Sequence, residues 1–512
     1  MSDMHKLLAG GLALVLSGAA LAGTATASDA RTVTAPRAAG DLKTDIDAIL
    51  ADSRLDGASI GVSVRDAGTG KVLYDNGASG QETPGSNNKL ETSTAAFGIL
   101  GAKYRFTTKV SSRNGNLYIK GTGDPTMRAA EYDALAAAVA AKGITKVTGN
   151  LVADDTYFDS ERTNPDWDPS DLPYSYAAGI SALTVAPDDV YDIGSIGVNI
   201  TPGTEGQPVN VAVSPPTSVI KIDNEAVTGP AGSASTLSVD RTNGTNIVKV
   251  TGSYPSDAAE SDHLTTAPDP TMYAADVFRN ALKAHGVQVA GATVEGTMPS
   301  TAATVTETQS PPLSQIATPW LKLSNNPITE TVTKAIGHKV SGRGTWAAGL
   351  AAISAYLKNN FGVDTSQIKQ TDGSGLAATN KTTPEQITNV LKAAQQQSWF
   401  STWYNALPIA GEPDPLVGGT LASRMQNTAA AGNLHGKTGT LTGVTALSGY
   451  VTDPTGEKLI FSIMFNGYQG GAPKDIEDKI AVRLAAGHTD AVNAVRRAPS
   501  GQRLECSWTK SC

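Results

Sequence analysis

Pro84-Gly85-Ser86-Asn87-Asn88-Lys89 leads into a stretch where Leu90, Thr94 and Phe97 recur at three-to-four spacing. That period is helical, and the Pro-Gly pair marks a turn before it. The spacing predicts a helix from Ser86 onward. Three residues apart on a helix, Ser86 and Lys89 share a face and can touch. The Ser86 hydroxyl then lies near the positive helix end. A second S-x-x-K match, Ser507-Trp508-Thr509-Lys510, lies in a terminal tail between Cys506 and Cys512.

Two more short patterns follow in order. Ser324-Asn325-Asn326 is an S-x-N triplet, and Lys437-Thr438-Gly439-Thr440 precedes a strong hairpin pattern, 446–453 and 458–465, around Pro454-Thr455-Gly456. Gly439 lets a ligand approach the strand closely. Lys437 and the Thr438 and Thr440 hydroxyls suit a substrate carboxylate. Each pattern is weak alone, since Ser86-Asn87-Asn88 also matches S-x-N. Their order and context are what carry weight.

Composition narrows the classes. The 512 residues hold 48 Asp and Glu against 40 Lys and Arg, a net charge of −8. That balance argues against a nucleic-acid partner, which calls for a basic surplus. Two cysteines build neither a disulfide framework nor a four-Cys zinc site. No H-E-x-x-H occurs, and no metal or cofactor is expected. None of the six histidines (His5, His263, His285, His338, His435 and His488) sits in a recognised general-base motif. Gly57-Ala58-Ser59-Ile60-Gly61 matches the G-x-S-x-G elbow, but Ser59 lies inside an alternating strand, 58–66. The acidic run around Asp166, Asp168 and Asp171 reads as a solvated loop.

Residues 1–27 read as a signal peptide. His5-Lys6 precedes an uncharged run, 7–21, and then Ala20-Leu21-Ala22 and Ala25-Thr26-Ala27. The run is too short to span a bilayer. The expected location is therefore exported: extracellular, cell wall or periplasm, with no membrane span in the mature chain. In an exported protein Cys506 and Cys512 can close a small loop in the tail, 491–512.

Between the first two motifs the texture changes. Asp124-Pro125 and Asp269-Pro270 each read as a helix start, a cap followed by the first helical position. Residues 187–253 are rich in Val, Thr, Gly and Pro, with short strands at 209–213 and 247–250. They suggest a small β module inserted in something else.

Taken as a set, S-x-x-K, S-x-N and K-T-G resemble the penicillin-recognising serine D,D-peptidases. Gly121-Thr122-Gly123-Asp124-Pro125-Thr126, Tyr176 to Leu183, Asp372-Gly373-Ser374-Gly375-Leu376 and Gly419-Thr420-Leu421 match the class C low-molecular-mass penicillin-binding proteins. That group holds D-alanyl-D-alanine carboxypeptidases and endopeptidases. The resemblance spans about 42–490. It departs at polar Asn87 and Asn88, at Pro327 and at His435-Gly436, none of which removes a catalytic side chain.

The resemblance implies an α/β fold, an α+β sandwich: a β-lactamase/transpeptidase-like domain with a large nested insertion containing a β-rich module. The catalytic domain would be split, 41–105 and 299–490. An inserted domain would occupy 106–186 and 265–298, with the β-rich domain nested at 187–264. Ser86 would be the nucleophile. Lys89 would be its base if neutral, and burial near a second cation, Lys437, lowers a lysine toward that state. Ser324 would relay a proton to the leaving amine, and Asn326 would hold Lys89 and the substrate amide. Thr438 and Thr440, flanking Gly439, would bind the terminal carboxylate. The N–H groups of Ser86 and Thr440 would form an oxyanion hole, worth about 3–4 kcal/mol per donor in other enzymes.

The implied partners are peptidoglycan stem peptides and β-lactams. Two other readings stay open. One is a serine β-lactamase on a related scaffold, which needs a positioned second base; no equivalent motif is evident, and the insert is unlike compact β-lactamases. The other is a non-enzymatic penicillin-binding wall protein. Trp167, Asp171 and Tyr176 are candidates for the cleft entrance.

Overall fold

The computed structural model describes residues 41–487 and 489–495. The signal-peptide segment, the Cys506 and Cys512 pair and His488 lie outside them.

The expected hairpin forms as Val444–Thr452 and Lys458–Asn466. It belongs to a five-stranded antiparallel sheet in the order His435–Leu441, Val444–Thr452, Lys458–Asn466, Ser59–Asp66, Val72–Asn76. Strands from opposite ends of the chain thus pair side by side, with Val62 opposite Ile463. Successive side chains take opposite faces. Leu447, Phe461 and Ile463 join Ile46, Ile476 and Ile480, which come from helices Leu42–Leu50 and Lys474–Ala486. Ala446, Ile460 and Met464 face the other way, into a core with Leu90, Phe97, Ile328, Val332, Ile353 and Leu391. Helices Asn88–Ile99, Asn326–Ser341, Trp346–Phe361 and Pro384–Ala394 supply those residues. Coverage on both faces explains why the central strands are buried almost throughout rather than on alternate residues.

The chain between these parts builds a second five-stranded sheet, ordered Thr293–Glu295, Leu151–Asp154, Asn116–Gly121, Thr107–Arg113, Ala303–Gln309. Helices Ala129–Ala141 and Pro270–Ala284 pack with it through Tyr132 and Phe278. The strands of the β-rich stretch, such as Ser195–Thr201 and Ile247–Thr251, share that same core through Val198 and Val248. Ala303–Gln309 was expected in the second catalytic segment, yet it is an edge strand of this sheet, antiparallel to Thr107–Arg113. Its Thr-rich, half-exposed pattern is that of a strand with one open side. Among the described residues no helix is long and apolar enough to cross a membrane.

Candidate active site

Ser86 sits in a 3-10 turn, Gly85–Asn87, that runs directly into the Asn88–Ile99 helix. The expected helix therefore opens with a tighter turn, in which residues three apart eclipse. Lys89 Nζ donates to Ser86 Oγ at 2.7 Å, to Asn326 Oδ1 at 2.6 Å and to Ser374 O at 2.9 Å. All of these side chains are buried. Burial pulls the Lys89 amine down to about 7, although Glu330 and Asp372 act in the opposite direction. An amine in that range is partly neutral at neutral pH and can accept a proton from a hydroxyl.

The Lys-Thr-Gly strand, His435–Leu441, lies against the Ser86 turn. A Cβ on Gly439 would collide with Pro84 O and lie 3.1 Å from Ser86 N. Gly85, at φ +51°, has the reciprocal approach: its added Cβ would lie 3.0 Å from Thr440 N. Two glycines thus let two backbones touch, and that contact brings the Ser86 and Thr440 amides to one place. Gly439→Ala is expected to part them. With these amides as the oxyanion hole that the resemblance implies, penicillin acylation should fall by about 10²–10³-fold, the loss seen when one oxyanion donor is removed. A stopped-flow acylation rate within twofold of wild type would rule this geometry out as the reason for the glycine.

Lys437 is fully buried and donates to Thr438 O at 2.9 Å. Thr438 Oγ1 donates to Thr420 Oγ1 at 2.8 Å, so the Gly419-Thr420-Leu421 segment braces the strand from behind. Thr440 Oγ1 and Ser324 Oγ are buried and make no hydrogen bond among the described residues. Ser324 has φ +58°, a left-handed conformation that a non-glycine residue adopts at a cost.

That conformation is held from both sides. Asn325 caps the Asn326–Ser341 helix, its Oδ1 accepting from Ile328 N at 2.9 Å. Pro327 stands in the first turn of this helix, where a missing N–H costs nothing. The other end of the Asn325 amide donates to Tyr191 O at 3.3 Å and Asp192 Oδ1 at 3.1 Å. Asn326 Nδ2 donates to Tyr176 O at 3.1 Å. Tyr176, Tyr191 and Asp192, all in the stretch expected to form the insert, therefore grip the S-x-N triplet directly.

Ser86, Lys89 and Asn326 are brought into hydrogen-bond contact, and Gly439 and Thr440 pack on the Ser86 turn. Ser59 stays in its strand, its hydroxyl bonded to Glu82. Sequence reasoning did not find the carbonyls of Tyr176 and Ser374, because a backbone acceptor has no side-chain signature. It also missed Glu330, which lies among threonines in the Asn326–Ser341 helix. Trp167, a candidate for the cleft entrance, is buried and donates to Asp372 Oδ2 at 2.9 Å. Tyr176 OH donates to Asp171 Oδ1 at 3.0 Å.

Known proteins are similar to this chain over nearly its whole length. The chain is 46% identical over 489 residues to a D-alanyl-D-alanine carboxypeptidase of Actinomadura sp. (strain R39), covering 92% of this chain and 90% of that one. It is 27% identical to a carboxypeptidase DacB of Mycolicibacterium smegmatis, covering 79% and 75% respectively. The crystal structure of penicillin binding protein 4 (dacB) from Haemophilus influenzae superposes with a TM-score of 0.73 at 23% identity, covering 86% of this chain and 98% of that one. The fold is accordingly the expected one, a β-lactamase/transpeptidase-like domain carrying an insertion. Residues 42–487 match the D-Ala-D-Ala carboxypeptidase 3 (S13) family, and with that match and the 46% identity the chain belongs to this family.

Proposed function

We propose that this chain is an exported serine-type D-alanyl-D-alanine carboxypeptidase, also acting as an endopeptidase, that trims peptidoglycan stem peptides through an acyl-enzyme on Ser86. The observation that carries the proposal is the buried lysine 2.7 Å from the Ser86 hydroxyl, with its amine near 7. Ser86 Oγ attacks the carbonyl carbon of the penultimate D-Ala as its proton passes to Lys89 Nζ. The amides of Ser86 and Thr440 take the developing oxyanion. Collapse expels the amine of the terminal D-Ala, protonated by way of Ser324, and water then cleaves the ester. Lys437, Thr438 and Thr440 bind the terminal carboxylate. A β-lactam acylates Ser86 by the same attack and, its leaving group still tethered, blocks the water step.

The catalytic part is assigned to 41–105 together with the chain that follows the insert, with Ala303–Gln309 placed in the insert because it pairs there. The uncharged N-terminal run supports export.

Intact-protein mass after incubation with benzylpenicillin, followed by peptide mapping, tests the proposal, alongside D-alanine release from a peptide ending in D-Ala-D-Ala. A persistent single adduct on the Ser86 peptide, with D-alanine release, is expected. Rapid penicillin hydrolysis without an adduct would favour a β-lactamase. Binding without either reaction would favour a non-catalytic wall protein.

Acylation should also depend on pH in a defined direction. Only neutral Lys89 can accept the proton, so the rate climbs through about 7 and stands at about one tenth of its plateau at pH 6. His435, two residues before Lys437, is pulled down to about 4 by burial and does not titrate in that window. A rate independent of pH between 5 and 8 would exclude Lys89 as the base.

A further inference from the structure

The Ser374 carbonyl that holds Lys89 belongs to a turn whose peptide groups are bonded with a consistent polarity. Three successive carbonyls face the nucleophile helix: Asn88 Nδ2 donates to Asp372 O at 3.0 Å, Thr92 Oγ1 to Gly373 O at 2.7 Å and Lys89 Nζ to Ser374 O at 2.9 Å. The N–H ends of those same peptide groups point away, onto carboxylates. Gly373 N and Ser374 N donate to Glu330 Oε2 and Oε1 at 2.9 and 2.7 Å. Gly375 N donates to Asp372 Oδ1 at 2.7 Å, and Ala377 N to Asp372 Oδ2 at 2.7 Å.

Both carboxyl groups are fully buried. Glu330 stands four residues after Asn326, one helical turn along the same face. Trp346 Nε1 donates to its Oε2 at 2.7 Å. Asp372 also accepts from Trp167 Nε1 at 2.9 Å and Asn380 Nδ2 at 2.8 Å. Such bond sets fix a side chain and favour its ionised form, against the cost of burial. An anion at the N–H end of a peptide group polarises it and strengthens its carbonyl as an acceptor.

We propose that Glu330 and Asp372 are positioning residues: they hold the 372–377 turn so that its Ser374 carbonyl fixes Lys89 against Ser86, and their charge works against the burial of Lys89 to help set when its amine gives up a proton. The inference rests on Ser86 and Lys89 being the acylating pair. The ionisable groups that act on Lys89 are Glu330 from the Asn326–Ser341 helix and Asp372 from the turn; the strand packed on the Ser86 turn carries Lys437, which donates to Thr438 O. On its own helix, Glu91 is engaged by Thr382. Burial and the Asp372 charge raise Glu330 to about 7, so its charge changes in the same pH range in which Lys89 must lose its proton.

Glu330→Gln tests this without changing shape. Removing an anion near an ammonium makes the neutral amine easier to form, so the acid limb of the pH profile should move to lower pH, by about one unit. A glutamine presents one acceptor oxygen where three N–H groups now bond two, so the plateau rate should also fall, by about 10–100-fold as positioning is lost. The readout is the benzylpenicillin acylation rate from pH 5 to 9, with melting temperature measured in parallel. A lower rate with an unmoved acid limb would show a merely structural role and overturn the proposal. Should Glu330→Gln fail to fold, Trp346→Phe is read instead. Loss of its indole donor lets Glu330 keep a proton to higher pH, so the limb should move the same way by less; a coincident limb overturns the proposal. Failure of the wild type to form an adduct at Ser86 would instead sink the underlying assignment.

Discussion

Ser86→Ala is expected to abolish the penicillin adduct and to cut D-alanine release by about 10⁴–10⁶-fold, the scale on which losing the nucleophile of a serine hydrolase acts. The protein should stay folded. Lys89 keeps its bonds to Asn326 Oδ1 and Ser374 O, so no buried ammonium is stranded. The stability cost is that of one hydrogen bond, about 1 kcal/mol. Intact mass reads the adduct, a D-alanine assay the turnover, and thermal melting the fold. An adduct that persists on the variant would mean another serine is acylated, and the buried Ser324 hydroxyl would be examined first.

Lys89→Met should leave Ser86 in place and still cost about 10²–10⁴-fold in acylation, the usual contribution of a general base. The two variants differ in a second respect. Methionine fills a similar volume and removes the cost of burying an amine. Against that, it leaves the Asn326 and Ser374 acceptors without their donor, at about 1–3 kcal/mol each. The opposing terms are of similar size, so the melting temperature should move by only a few degrees while activity collapses. The residual rate should also lose its rise through pH 7. Retention of that rise would place the titrating group elsewhere.

The parts of this site that could be read in the sequence are those where a side chain does the chemistry at short range. Ser86 and Lys89 are three apart on a helical pattern, and Gly439 interrupts an otherwise continuous strand beside a clear hairpin. Other parts depend on contacts between distant segments. Glu330 lies among Thr329, Thr331 and Thr333, and nothing in that run reveals that all are buried. The Asn326–Ser341 helix went unrecognised because Pro327 and a polar face mask its start, although Asn325 is a good cap. The pairing of Ala303–Gln309 with Thr107–Arg113 was hidden for a related reason. An edge strand such as Ala303–Gln309 carries too weak a pattern to show which sheet it joins.

The pairing of Ser59–Asp66 with Lys458–Asn466 bears on how the molecule comes into being. Ser86 emerges early in synthesis, whereas the Thr440 amide and the strands that hold it emerge about 350 residues later. Contacts of such long sequence separation form late and slowly in folding. A nascent or C-terminally clipped chain therefore carries the attacking hydroxyl without the strand that supports its reaction. A hydrolase of this topology is silent until Lys458–Asn466 has paired with Ser59–Asp66, so the arrival of that strand acts as the safety catch.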